Sequence, residues 1–178
     1  MKNLFQKDKK AIAVVEDMVQ LVTFRVGAED YGLDINAITE VVRPLRITPL
    51  PRMPLFIEGV INLRGTIIPV VDLRKRFVLA PAGNDSRKIR MLITKGAVPE
   101  TGKGGKELLG LVVDGVDEVI HVPKKDIAPP PEAATGKQAG FIGGMGKVGD
   151  RLIIILDIMK ILSSRERTDL AEARHAES

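Results

Sequence analysis

The segment Gly59-Val60-Ile61-Asn62-Leu63-Arg64-Gly65, with Glu40 upstream, holds the side chains best placed to act on something. Asn bonds readily to nearby backbone and Gly tolerates a positive φ, so the segment reads as a hairpin tip with a solvated arginine. A second reading uses the same residues. The guanidinium of Arg64 is held out at the end of a β-structure, to pair with Glu40 or with a carboxylate of a partner. No other group approaches a reactive constellation. Cysteine is absent, which excludes disulfides, zinc-thiolate sites, iron–sulfur clusters and thiol nucleophiles, and fits a reducing compartment. The two histidines, His121 and His175, are far apart in the chain. Asp114 and Asp117 lack the repeated-aspartate spacing of a calcium loop. The glycines of 95–105 lack the GxxxxGK[ST] spacing of a phosphate loop. The four glycines of Phe141–Gly149 have no strand and helix to frame a nucleotide, and are expected to serve close backbone packing. The chain is therefore read as no enzyme, with no cofactor and no metal.

The composition states which elements could carry such a tip. The chain has 178 residues, 44% hydrophobic and 28% charged, the balance of a globular protein and not of a disordered or collagen-like one. Only 3% is aromatic, so Ile, Val and Leu must build the core, and β-branched residues suit a pleated surface. The net charge of +4 is spread over interleaved basic and acidic residues without stacking aromatics, so nucleic acid is not an expected partner. The first 18 residues carry charges throughout and lack the apolar stretch of a signal peptide. The longest apolar runs, such as Leu152–Leu156, fall far short of the ~20 residues that a membrane span needs. A cytoplasmic protein without membrane insertion is expected.

Strands are expected at Val19–Val26, Tyr31–Ile35, Val60–Leu63, Thr66–Val71, Ile89–Thr94, Leu108–Val113 and Leu152–Leu156. The spacing of Ile35, Ile38, Val41 and Val42 fits either a helical turn or a bent strand. Four prolines between 43 and 54 forbid regular structure there. Asp72 and Asp157 each stand before a short helical pattern, LRKRF and IMKIL, where a carboxylate caps orphan amides. The segments 96–106 and 123–138 read as irregular connections, and the last dozen residues as polar enough to fray.

Internal repetition is the strongest organising signal. YGLDINAITEVV, from Tyr31, aligns with LGLVVDGVDEVI, from Leu109, pairing Gly32 with Gly110 and Glu40 with Glu118. FIEGVINLRGTIIPVVDLRKRF, from Phe56, aligns with FIGGMGKVGDRLIIILDIMKIL, from Phe141, pairing Gly59 with Gly144 and Asp72 with Asp157. Gly149 stands at the position of Arg64, which suggests for that arginine a role beyond the shared fold. Two copies of a strand-rich module, each marginal alone, are best accommodated as two small barrels packed on each other. The expected division is a flexible segment 1–18, a first barrel 19–84, a second barrel 85–162 and a polar tail 163–178.

These blocks, in this order and spacing over about residues 19–162, resemble the CheW family of bacterial chemotaxis coupling proteins; the NLRG turn before the IPVVDL strand is the most specific part. The resemblance implies a mainly β fold of two SH3-like five-stranded β-barrels, with short helices and a C-terminal helix. It also implies a non-catalytic adaptor that joins chemoreceptor cytoplasmic tips to the regulatory domain of the histidine kinase CheA. Such an adaptor is expected to be a cytoplasmic monomer in isolation, recruited to membrane receptor arrays. Carried over residue by residue, the family's charged pair falls on Glu40 and Arg64, with Ile38, Gly59 and Asn62 close to it. A coupling protein of a related, non-flagellar pathway is the alternative.

Overall fold

The computed structural model describes residues 17–79, 85–95, 107–131 and 139–177. Eleven strands form among them: β1 (Met18–Val26), β2 (Glu29–Asp34), β3 (Ile38–Val42), β4 (Ile57–Leu63), β5 (Thr66–Asp72), β6 (Arg90–Lys95), β7 (Leu108–Val113), β8 (Gly115–Pro123), β9 (Ile127–Ala128), β10 (Ile142–Val148) and β11 (Arg151–Leu156). A one-turn helix α1 (Leu73–Arg76) follows β5, and a longer helix α2 (Ser164–Glu177) ends the chain. The ambiguous stretch after β2 contains both readings, a 3-10 turn at Ile35–Ala37 and then β3. β8 and β10 were not among the expected strands; charge on β8 and glycine on β10 dilute the alternation that marks a strand. The loop at 96–106 lies outside the described residues.

The strands make two sheets, ordered β3-β6-β7-β5-β4 and β8-β1-β2-β11-β10-β9. In each, the chain itself connects the two ends of the order. After β3 it reaches Thr48, which bridges Val60 of β4. After β8 it runs through a 3-10 turn into β9, which pairs with β10. Both sheets therefore close into barrels, which removes their open edges. We call β3–β7 barrel one and the other six strands barrel two.

The duplication is present, but the expected boundary between residues 84 and 85 does not separate the barrels. Barrel one takes β6 and β7 from beyond it, and barrel two takes β1 and β2 from before it. Each module lends its first hairpin to the other barrel. The symmetry survives residue by residue: Gly32 pairs in parallel with Ile155, and the matching Gly110 with Val70. The exchange takes place at two short connectors. Only the 3-10 turn at 35–37 links β2 to β3, and only Asp114 links β7 to β8. Neither turns the chain back on its own sheet, so each hairpin's second strand leads into the neighbouring barrel.

Two more boundaries move. Met18 already belongs to β1, and Asp17 accepts a backbone hydrogen bond from Lys124. Residues 164–177 form α2 instead of a polar tail. The Ser163 amide donates to Glu166 (2.7 Å) and the Glu166 amide to the Ser163 hydroxyl (3.2 Å), a reciprocal cap of the helix start. Leu170 anchors α2 by complete burial.

Sheet alternation sends side chains to two cores. On β5, Ile68 and Val70 join a cluster with Ile61, Met91, Ile93 and Val112, all within barrel one. Val71 on the same strand joins a larger cluster that takes residues from both barrels and from α2. Through this shared core runs an aromatic column, Phe24–Tyr31–Phe77–Phe141, with centroids 6.1, 5.1 and 4.9 Å apart. Arg76 lies over both Phe56 and Phe141 and donates to the Ile161 carbonyl, tying α1 to the start of α2. Burial, with a smaller push from Glu29, raises the Tyr31 hydroxyl to about 12.

Candidate functional site

Antiparallel β4 and β5 pair as far as Leu63 and Thr66, so only Arg64 and Gly65 make the turn. Both carry positive φ, 51° and 87°, the pattern of the tight hairpin turn that follows sheet twist. Glycine adopts it freely, whereas an arginine there incurs a steric cost. The Asn62 side chain accepts from the Gly65 amide at 2.8 Å and locks the turn. Arg64, its side chain 71% exposed, donates to Glu40 on β3, 32% exposed. The pair crosses from the β4–β5 hairpin to the strand at the opposite end of the sheet order.

The structure thus brings Glu40, Asn62 and Arg64 together, and it assigns the other two expected residues structural work. Ile38 is half-buried and packs against the shared core. Gly59 is buried at a bulge with φ 140°; a Cβ there would lie 2.1 Å from the Thr48 carbonyl oxygen. Gly59 lets the connector seal the barrel and offers no side chain to a partner.

Against expectation, Gly149 at the position of Arg64 does not leave the second copy without its arginine. Glu118, the counterpart of Glu40, does have an arginine, supplied two residues further along the hairpin. Arg151 donates to Glu118 at 2.9 Å, reaches Asp30 at 3.4 Å and lies 4.0 Å from Asp117. Hydrogen bonds to Glu118 and then to Asp30 raise the pKa of Arg151. Both barrels therefore end in an acid–arginine pair. They differ in setting: Arg64 has one acid, and Arg151 sits among three.

A third charged group lies where the barrels meet. Asp72 caps α1 through the Arg74 amide (2.9 Å), and the Arg74 guanidinium is 3.3 Å from Asp72 and 3.2 Å from buried Asp114. The contact with Asp114 Oδ1 is an ion pair without hydrogen-bond alignment; its Oδ2 accepts from the Gly27 amide at 2.7 Å. Burial opposes the charge on Arg74, but the hydrogen bond to Asp72 and the charges of Asp72 and Asp114 outweigh it and raise the pKa. The triad pins the β1–β2 turn of barrel two to the end of β5 in barrel one. Asp157, the counterpart of Asp72, caps its own 3-10 turn by accepting from Met159 at 3.0 Å, but more exposed and without such a triad.

Among the described residues no group of three or more His, Asp or Glu could hold a metal ion, and no helix is long and apolar enough to cross a membrane. A family model for the CheW-like domain matches residues 20–166. The chain is 38% identical to the chemotaxis protein CheW of Treponema pallidum, covering 90% of this chain and 91% of that one. It is 32% identical to the chemotaxis protein CheW of Helicobacter pylori, covering 91% and 95%. Its fold is similar to the crystal structure of the scaffolding protein TtCheW from Thermoanaerobacter tengcongensis, with a TM-score of 0.71 and 39% identity, covering 83% of this chain and 94% of that one. Exchanged hairpins, paired barrels and these matches lead to one conclusion: the chain belongs to the CheW-like domain family.

Proposed function

We propose that this chain is a non-catalytic chemotaxis scaffold that couples the cytoplasmic tips of chemoreceptors to the histidine kinase CheA, and that Glu40 and Arg64 mark a surface it uses. The observation that carries this reading is the backbone of Arg64. A solvated ornament has no need of a strained turn, yet here an arginine occupies a position that suits glycine, fixed by Asn62 and aimed by Glu40. A planar guanidinium holds one carboxylate and still presents N–H groups to a partner. Ile38, Gly59 and Asn62 shape that surface from below. Individually weak contacts of this kind add up when many copies are held in one array, which is where such a scaffold is recruited.

The test measures melting temperature and affinity for the kinase regulatory domain and for a receptor tip. An exposed pair contributes only about 0–1 kcal/mol to stability, so Arg64→Lys and Glu40→Ala are expected to melt close to the wild type. Binding to at least one partner is expected to fall about tenfold or more, equivalent to about 1.4 kcal/mol. Unchanged binding to both partners would remove the pair from the function.

A further inference from the structure

Where the chain crosses between barrels, a cleft of about 410 Å³ opens beside Asp114. Three cations (Arg25, Lys88, Arg90) and three acids (Asp85, Asp114, Asp117) line it. Formal charge cancels, but the engagements do not. Each acid has an arginine beside it that does not line the cleft: Asp85 has Arg87 at 2.8 Å, Asp114 has Arg74 at 3.2 Å, shared with Asp72, and Asp117 has Arg151 at 4.0 Å, shared with Glu118 and Asp30. Arg25, Lys88 and Arg90 make no ion pair among the described residues; Lys88 adds only a weak attraction to Asp85. The three cations lining the cleft are thus the ones that no acid among the described residues pairs with.

Strand register sets two of them on either side of the crossing. Arg25 pairs with Gly115 at the end of β1 in barrel two, and Arg90 with Val113 at the start of β6 in barrel one. Arg90 is also pre-aimed: its Nη1 donates to the carbonyls of Arg87 (2.8 Å) and Ile89 (2.7 Å), which fixes the guanidinium plane and leaves Nε and Nη2 for a ligand. Val41 and Val116 supply an apolar wall. The volume falls in the range of small-molecule sites, roughly 300–1,000 Å³.

We propose that this inter-barrel cleft binds a small polyanion of the phosphate class, gripped by Arg25, Lys88 and Arg90. Guanidinium groups match phosphate oxygens in pairs of parallel hydrogen bonds, and a ligand bridging Arg25 and Arg90 ties one barrel to the other. Neither Glu40 nor Arg64 lines the cleft, and the proposal does not rest on the scaffold role.

The probes are inorganic pyrophosphate and tripolyphosphate, titrated into the full chain by calorimetry and by amide NMR at roughly 150 mM NaCl, where long-range attraction is screened. We expect saturable one-to-one binding that shifts the amides of Arg90, Gly115 and Val116. Arg90→Gln and Arg25→Gln are each expected to weaken it at least tenfold, and Arg52→Gln, outside the cleft, to leave it unchanged. Gly115→Leu gives a second line of evidence. A Cβ at 115 meets only Lys88, at 3.8 Å, so the variant is expected to fold while filling the cleft and abolishing binding. Absence of saturable binding at millimolar pyrophosphate would overturn the proposal. So would an Arg52→Gln loss equal to that of Arg90→Gln, or an acidic peptide that binds the cleft where both phosphates fail.

Discussion

Arg64 trades local comfort for position. The left-handed backbone costs an ordinary residue about 1–2 kcal/mol, and glycine is free of that cost while losing more chain entropy on folding. Since the exposed pair with Glu40 returns only about 0–1 kcal/mol, Arg64→Gly is expected to leave the urea midpoint unchanged or raise it, by the equivalent of up to about 1 kcal/mol, while weakening partner binding as Glu40→Ala does. A drop in stability well beyond about 1 kcal/mol would mean that the pair holds the barrel end together and has no spare capacity for a partner. Arg64, Asn62 and Glu40 were legible in the sequence because the turn signal is local and the repeat singled out the acid. Arg151 was not. Aligning the copies put Gly149 opposite Arg64, and only the pairing of Val148 with Arg151 shows that the arginine moved along the hairpin without leaving the acid.

Among the short elements, the aspartates Asp34, Asp72, Asp85 and Asp157 act alike, each accepting from the amide two residues ahead. Asp72 and Asp157 were legible as caps because the bond is local. Their unequal weight was not, since the Arg74–Asp114 contact joins residues distant in sequence. Asp157→Ala removes a cap and is expected to cost about 1 kcal/mol. Asp72→Ala also strips a partly buried arginine of one acid and is expected to cost about 2–3 kcal/mol, between the cost of a lost cap and that of a broken buried pair. Equal losses for the two variants in denaturant titrations would show that the triad adds nothing. The C-terminal helix was implied by the family resemblance and not by its own residues, which read as a polar tail. Its capping box, Ser163 to Glu166, stands in the sequence, but one Leu170 in a polar stretch makes no apolar stripe, and fraying was the natural expectation.

On the scale of the molecule, repetition revealed two modules but not how they combine, because an alignment of the copies is the same whether each hairpin packs at home or abroad. The links at 35–37 and 114 are where the chain passes from one sheet to the other. With one core drawing on both barrels and on α2, unfolding is expected to be a single transition, with calorimetric and van't Hoff enthalpies equal. Two resolved transitions would mean that the barrels are independent after all. The exchange also sets an order of events during synthesis. The β1–β2 hairpin leaves the ribosome before the strands it pairs with: β8 and β11 follow on the order of 100 residues later, roughly 5–20 s at ordinary elongation rates. Barrel one, contiguous from β3 to β7, is complete before then. The β1–β2 hairpin thus waits with its apolar face uncovered until β8 and β11 arrive, an interval in which exposed apolar surface and unpaired strand edges favour wrong associations.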